Sequence, residues 1–259
     1  GTLTSDSEVF TVVNTLTWWN ASWTRRMAIR LNNMDQAAAH ANLPVLLKLT
    51  DSRVNYDDFK AGGADLRVLA ADHSTVLTHE IESWNAGGDS WIWVKVPSIA
   101  ASSLPLIYVY YGNAAASAPG AGTAAWSSYW GVWHLDDNPA GGAPHHPDAT
   151  SGGRNGTAVN APTACTGKVA GCVSMGGNFD TVDLGVDLSP VIGASSTFSA
   201  WFKTSQIGSN TTWLAPGLTG VEQSGGGNDI FFGWIDGTGR IGVTAGNGAA
   251  AKSGFVIND

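Results

Sequence analysis

The sequence predicts an all-β protein made of two tandem β-sandwiches. Apolar and polar residues alternate over short segments, and Gly, Pro, Asn and Asp separate these segments, as expected of half-buried strands joined by turns. Helical periodicity is nearly absent, because the one candidate, residues 34–43, is short and ends at Pro44. Charged residues make up only 13% of the 259 residues and glycine is abundant at 33, as in many extracellular β proteins.

The first predicted sandwich spans residues 18–122. Its strands are expected at RRMAIRL (25–31), PVLLKL (44–49), DLRVLA (65–70), TVLTHEIESW (75–84), WIWVKVP (91–97) and LIYVYYG (106–112). The small residues of 113–125 predict a linker. Short strands follow in the second predicted domain, residues 123–259, among them STFSAWFKTS at 196–205. Residues 1–17 are interpreted as an N-terminal strand and a linker, from a mature product or a fragment.

Charge and cysteine content narrow the class of protein. The net charge of −8 is spread along the chain without a Lys/Arg cluster, which argues against nucleic acid and anionic membrane as partners. No apolar stretch is long enough to insert into a bilayer. Cys165 and Cys172 are expected to form a disulfide in an oxidising compartment, with two reduced thiols as the alternative. We therefore expect an extracellular, cell-surface or periplasmic location.

The motif HEIESWN at 79–85 places two glutamates two positions apart. In a strand Glu80 and Glu82 share a face with Cα atoms about 7 Å apart, close to the carboxyl spacing of a retaining glycosidase. If residues 85–90 form a hairpin loop, Glu80 faces Lys95, which would keep the carboxylate ionised and unsuited to acid catalysis. A structural Glu80–Lys95 ion pair is therefore favoured, and a catalytic pair remains the alternative.

The same register predicts a surface rich in aromatic rings. Ile81, Ile92 and Val94 point to the core, and extension through the next hairpin adds Ile107 and Val109. The opposite face is a candidate glycan-binding platform, since sugar rings stack on exposed aromatic rings beside polar groups. Its predicted members are Trp84, Trp91, Trp93, Glu82, Asn85, Tyr108 and Tyr110. The alternative is that these rings are buried in an interface, because monomers rarely expose large apolar patches.

Metal and cofactor signals are weak. Calcium is the ion best supplied with hard oxygen donors, and the candidate ligands are Asp136, Asp148, Asp180 and Asp183. Turn-forming roles are the alternative, since loop Asp residues most often serve turns. The sequence contains no nucleophile elbow, phosphate-binding loop or dinucleotide fingerprint, so no other cofactor is expected.

Two resemblances follow from motifs in order. WWNASWTRRMAIRL, PVLLKL, ADLRVLA, LTHEIESWN, WIWVKVP and YVYYGN make residues 18–113 similar to an uncharacterised bacterial envelope family, domain of unknown function 2341. The segments GVWHL, DATSGGRNGT, GKVAGCVSMGGNFDTVDLG and STFSAWFKTS resemble a laminin G-like, concanavalin A-like jelly roll that would be incomplete at Asp259. These resemblances imply a secreted or envelope protein, and no enzymatic activity is attributed to the first family.

The sequence thus predicts a non-catalytic surface module. It is expected to bind a glycan or a surface protein and to act as a spacer in a larger adhesin or appendage. One alternative is a filament subunit in which EVFTVVNTL (8–16) adds to the sheet edge of another copy. A second alternative is a glycoside hydrolase that uses Glu80 and Glu82.

Overall fold

A computed structural model describes residues 18–177, 179–192, 195–221, 229–245 and 250–257, and strands are the dominant regular secondary structure among them. The predicted all-β class is confirmed. The N-terminal strand predicted within residues 1–17 lies outside the described residues. The chain divides into two compact units between Val182 and Asp183, whereas the sequence places a boundary after residue 122.

The first unit contains a sandwich of two antiparallel sheets. Its strands are β1 (Arg25–Arg30), β2 (His40–Leu49), β3 (Arg67–Ala70), β4 (Val76–Leu77), β5 (His79–Ser83), β6 (Ser90–Ile99) and β7 (Leu106–Tyr111). Sheet A has the order β1-β7-β3-β4 and sheet B the order β2-β6-β5. The chain crosses from sheet A to sheet B at Thr78, between β4 and β5, and so closes one side of the sandwich.

The core lies between the inner faces of the two sheets. Alternate residues of β6 and β7 point into it, and Ile92, Val94, Ile107 and Val109 are each at most 2% exposed. This follows from the two-residue period of a strand, which sends every second side chain to the same face. Each buried aliphatic side chain of this kind contributes about 1.5–3 kcal/mol to burial energy.

Strands β6 and β7 lie in different sheets, and the prediction that they form a hairpin is wrong. β6 pairs with β2 and β5, whereas β7 pairs with β1 and β3. The apolar residues of both strands do face the core, but they do so from opposite sides. Alternation reveals which side chains point inward, and it does not reveal which strands are hydrogen-bonded neighbours.

The predicted register of the β5–β6 hairpin is also wrong. Glu80 faces Trp93 instead of Lys95, and a register shift between Ile81 and Ser83 places Ser83 opposite Trp91. Such a bulge adds one residue to a strand and redirects the side chains that follow it. Trp84 accordingly packs into the core.

The remainder of the first unit is built from short elements. A 3₁₀ helix, Gly122–Trp126, follows the sandwich directly and contacts β5 and β6. Further along are β8 (Thr157–Val159), β9 (Thr163–Thr166), β10 (Gly171–Ser174) and β11 (Thr181–Asp183), with β8 paired to β11. Cys165 and Cys172 face each other across the β9–β10 hairpin and form the predicted disulfide.

The second unit contains a four-stranded antiparallel sheet. Its strands, in spatial order, are β12 (Thr219–Val221), β13 (Ile230–Ile235), β14 (Arg240–Ala245) and β15 (Ala251–Val256), and a short helix α1 (Ser189–Ile192) precedes them. Trp234 on β13 is buried. Residues 196–205 form no strand, so the strand predicted there is wrong, and Trp201 within them is 78% exposed.

Candidate functional site

A cluster of two glutamates, two tryptophans and one histidine lies on the outer face of sheet B. We call it the glutamate cluster, and its members are Glu80, Glu82, Trp93, Trp126 and His134. The side chains of both glutamates project from β5 to this face, and β6 supplies Trp93. The 3₁₀ helix brings Trp126 over them, so that its ring meets that of Trp93 edge-on with centroids 5.1 Å apart.

His134 lies between the two carboxylates. Its Nε2 is 3.0 Å from Glu80 Oε2 and its Nδ1 is 3.4 Å from Glu82 Oε2. The same two oxygens accept hydrogen bonds of 2.5 Å from the indole N–H groups of Trp126 and Trp93, respectively. The glutamate side chains are only 18% and 3% exposed, so this hydrogen-bonded cluster is largely shielded from solvent.

The backbone at Gly122 covers the glutamate cluster on the side that faces away from sheet B. Gly122 packs so tightly against Glu80 that any side chain at position 122 would overlap the glutamate. The stretch 122–134, which sequence analysis divides between the end of the linker and the start of the second domain, therefore covers the outer face of sheet B. This contact explains why residues beyond 122 belong to the same compact unit as the sandwich.

Burial and charge act in opposite directions on the protonation of the cluster. Burial raises the pKa of Glu82, although His134 and Trp93 oppose this shift. Burial also favours the neutral form of His134, but the hydrogen bond to Glu80 and the charges of Glu82, Glu80 and Asp136 outweigh it, so the His134 pKa is raised. The geometry therefore favours an imidazolium that donates a hydrogen bond to Glu80 and is attracted by the charge of Glu82.

The predicted Glu80–Lys95 ion pair is not formed. Lys95 Nζ instead donates to Ser127 Oγ at 2.6 Å, and Glu80 pairs with His134. No local pattern indicates His134 as a partner, because it follows Glu80 by 54 positions in a segment outside the predicted sandwich. A histidine that fills the space between two carboxylates also occupies the position that a glycosidic oxygen would need.

The predicted aromatic platform is divided among three environments. Trp91 and Trp93 lie on the outer face of sheet B, and Lys48 Nζ is 5.1 Å from the Trp91 ring centroid. Trp84 contacts the core residues Tyr56 and Phe59 at centroid distances of 5.4 and 5.1 Å.

The remaining candidates of the platform lie elsewhere. Tyr108 and Tyr110 are on the outer face of sheet A, where Tyr110 is fully buried. Asn85 is in the hairpin loop, where its side-chain oxygen accepts from Gly87 N at 3.1 Å. The structure therefore does not bring the seven candidates together on one surface.

A second cluster, the arginine–aromatic face, lies on the outer face of sheet A. It consists of Trp18, Arg26, His73, Tyr108 and Tyr110. The Arg26 guanidinium lies 5.0 Å from the Trp18 ring centroid and 5.5 Å from that of Tyr108. The His73 ring packs on Tyr108 at 4.0 Å, and its Nδ1 is 3.1 Å from the Tyr110 hydroxyl.

This face combines an exposed ring with polar groups fixed beside it. Trp18 is 40% exposed, and its indole N–H donates to the carbonyls of Asn20 and Trp23 at 2.9 and 2.7 Å, which fixes the ring. Burial, followed by the charge of Arg26, lowers the pKa of His73, so its imidazole is neutral at pH 7. The arrangement can stack a flat apolar surface on Trp18 and donate hydrogen bonds from Arg26.

Sequence analysis missed three members of this face. Trp18 and Arg26 belong to the WWNASWTRRM motif, in which alternation along β1 could have placed Arg26 on the outer face opposite Met27. His73 has a positive φ of 55° in the turn after β3, and no sequence pattern connects it with Tyr110. Only the pairing of β3 with β7 brings His73 and Tyr110 together.

The four aspartates proposed for calcium serve different parts of the first unit and its boundary. Asp148 accepts from the backbone N–H groups of Val132, Thr150 and Arg154. Asp180 and Asp183 accept from the amides of Gly176 and Gly185 at 2.8 Å each, and burial raises the pKa of Asp136. Within the described ranges, no group of three or more His, Cys, Asp or Glu side chains could hold a metal ion.

Comparison with known proteins gives one match. Residues 62–139 match the family described as Domain of unknown function (DUF2341), which covers less than a third of the chain. The matched range includes β5, β6, β7 and the segment that carries Trp126 and His134. The searches of curated proteins and of solved structures found no match.

The match ends at residue 139 and includes only GVWHL (131–135) of the segments that resemble a laminin G-like domain, so that resemblance stays a prediction. Among the described residues, no helix is long and apolar enough to cross a membrane.

Proposed function

We propose that the chain is a non-catalytic surface module that binds a glycan through the arginine–aromatic face and acts as a spacer in a larger extracellular assembly. The observation that carries the proposal is the partly exposed Trp18 ring, fixed by two hydrogen bonds and flanked by the Arg26 guanidinium. Sugars present apolar ring faces and hydroxyl groups, which these two side chains match. The disulfide supports an oxidising compartment such as the cell exterior or periplasm.

The closed state of the glutamate cluster argues against the hydrolase alternative. A glycosidase needs an acid and a second carboxylate on either side of a bound sugar, with room for the substrate and water. Here Glu82 is 3% exposed, and His134 occupies the gap between the two carboxylates. The cluster is better suited to holding residues 122–134 against sheet B.

A glycan array followed by titration calorimetry tests the proposal. The full chain is screened against neutral and acidic glycans, and hits are titrated with wild type and Trp18→Ala. We expect affinity to fall by about tenfold or more in Trp18→Ala, which corresponds to about 1.4 kcal/mol.

Trp213→Ala is the matched control, since Trp213 is 63% exposed and lies in the second unit. Its titration should match that of wild type. Equal losses in Trp18→Ala and Trp213→Ala, or an array without hits, would contradict the proposed site.

A further inference from the structure

An open cleft runs along one side of the sandwich, between the edge strands β1 and β2. Its volume is about 780 Å³, and its walls include the inward-facing side chains of Met27, Ile29, Leu43, Val45 and Leu47. The first four of these are only partly buried, although they pack against the core. On the opposite side, where the chain crosses at Thr78, Leu77 and Val68 are 3% and 0% exposed.

Both strands that border the cleft are sheet edges. In the part of the chain that the structure describes, β1 pairs with β7 alone and β2 with β6 alone. An edge strand presents unpaired N–H and C=O groups that can bond to an added strand. Pro44 interrupts the donor row of β2, because proline has no N–H, whereas β1 contains no proline.

From this geometry we infer that the cleft receives an added β-strand along β1, and that the strand is EVFTVVNTL, residues 8–16 of a second copy of the chain. Phe10, Val12 and Leu16 recur at even spacing in that segment, so an extended chain directs all three to one face. They would fill the apolar cleft while main-chain hydrogen bonds extend sheet A.

Charge favours this occupant. The exposed Arg30 and Arg53 lie at the cleft. The segment begins with Glu8, Asp6 precedes it by two positions, and residues 1–17 contain no Lys or Arg. Opposite charges across an interface steer the encounter and fix the orientation of the two partners. The net charge of the chain is −8, so an acidic segment is attracted to the arginines at the cleft more than to the chain as a whole.

The position of Trp18 favours a second copy over the same chain. Trp18 contacts Arg26 and Tyr110 on the outer face of sheet A, whereas the cleft lies on the inner side of that sheet. Residues 8–16 of the same copy would therefore have to turn back around the β1 edge. A second copy has no such constraint, and repetition of this contact would join copies head to tail.

Photo-crosslinking of the full chain tests the occupant. Phe10 is replaced by p-benzoylphenylalanine, and equal amounts of ¹⁴N- and ¹⁵N-labelled protein are mixed, irradiated and digested for mass spectrometry. We expect crosslinks from position 10 to peptides that contain Ile29 or Val45, with mixed heavy–light pairs beside unmixed ones. Exclusively unmixed pairs would show occupation by the same chain, and crosslinks outside the cleft would show another site; either result overturns the inference.

Sedimentation velocity across protein concentrations provides a second test. Ile29→Lys places a charge in the cleft and should weaken self-association by about tenfold or more. Val76→Lys is the matched control, because Val76 is 46% exposed on β4, at the other edge of sheet A, and it should associate like wild type.

The donor segment offers its own pair, in which Phe10→Asp should weaken association and Thr11→Asp should not. A monomeric wild type would overturn the inference. If Ile29→Lys does not fold by near-ultraviolet circular dichroism, the crosslinking result in the wild-type cleft decides. None of these residues belongs to the arginine–aromatic face, so glycan binding can fail while self-association succeeds, and the reverse.

Discussion

Replacement of His134 by alanine should destabilise the first unit in a pH-dependent way. The substitution leaves two largely buried carboxylates, Glu80 and Glu82, facing each other without the imidazolium between them. Removing one partner of a buried ion pair costs about 3–5 kcal/mol, and we expect about 3 kcal/mol at pH 6 because both indole donors remain.

The pH dependence follows from the raised pKa of His134. A group whose pKa is higher in the folded than in the unfolded state stabilises fully below its unfolded value, about 6.5, and this contribution is lost as pH rises through the folded pKa. The difference in free energy of unfolding between wild type and His134→Ala should therefore shrink as pH rises from 6 to 9, toward the contribution of about 1 kcal/mol from the one hydrogen bond that a neutral ring retains.

Urea denaturation followed by tryptophan fluorescence, at pH values from 6 to 9, measures this difference. His134→Gln is the control, because an amide can donate to a carboxylate but does not titrate, so its cost relative to wild type should fall with pH in parallel with that of His134→Ala. The difference between the two variants should therefore stay constant over this range. A His134→Ala cost that is constant over this range, or that grows with pH, would refute the interaction of a charged His134 with Glu80 and Glu82.

Three further outcomes follow from the packing. Gly122→Ala should cost about 1–3 kcal/mol because its Cβ would overlap Glu80. Gly120→Ala should change the free energy of unfolding by less than about 0.5 kcal/mol, because no atom lies within 4 Å of the place that its Cβ would take. Thermal denaturation compares the two, and equal effects would show that residue 122 is not packed on sheet B. Replacing Cys165 and Cys172 by serine should lower the free energy of unfolding by about 2.5 kcal/mol, because the disulfide no longer restricts the unfolded chain to a closed loop. Urea denaturation measures this loss, and an unchanged midpoint would contradict it. Arg26→Gln should weaken glycan binding in calorimetry while leaving Glu82 and its cluster intact, and unchanged affinity would remove Arg26 from the site.

The sequence predicted what each strand buries better than which strands are neighbours. Ile92, Val94, Ile107 and Val109 point to the core as their alternation indicates. The partner of β7 is a matter of long-range pairing, and alternation is equally satisfied by a strand beside β6 or across the core from it. A loop one residue longer than predicted and one bulge residue near Glu82 together moved the partner of Glu80 from Lys95 to Trp93, and the bulge changed the direction of Trp84.

Sequence analysis predicted some residues of the glutamate cluster, but it did not predict which distant residues contact them. Glu80 and Glu82 do share an aromatic environment with Trp93, as the spacing indicates. The partner His134 comes from the segment GVWHL (131–135), which sequence analysis assigned to the second domain. Burial of that segment depends on Trp126 reaching Glu80, a contact 46 positions apart that no local pattern encodes.

Titration of an array-selected glycan, with reducing ends assayed in the same samples, tests the non-catalytic account most directly. We expect saturable binding without release of reducing ends. The binding should be weakened in Trp18→Ala and unchanged in Glu82→Gln. Release of reducing ends by wild type that disappears in Glu82→Gln would contradict it and make the glutamate cluster an active site.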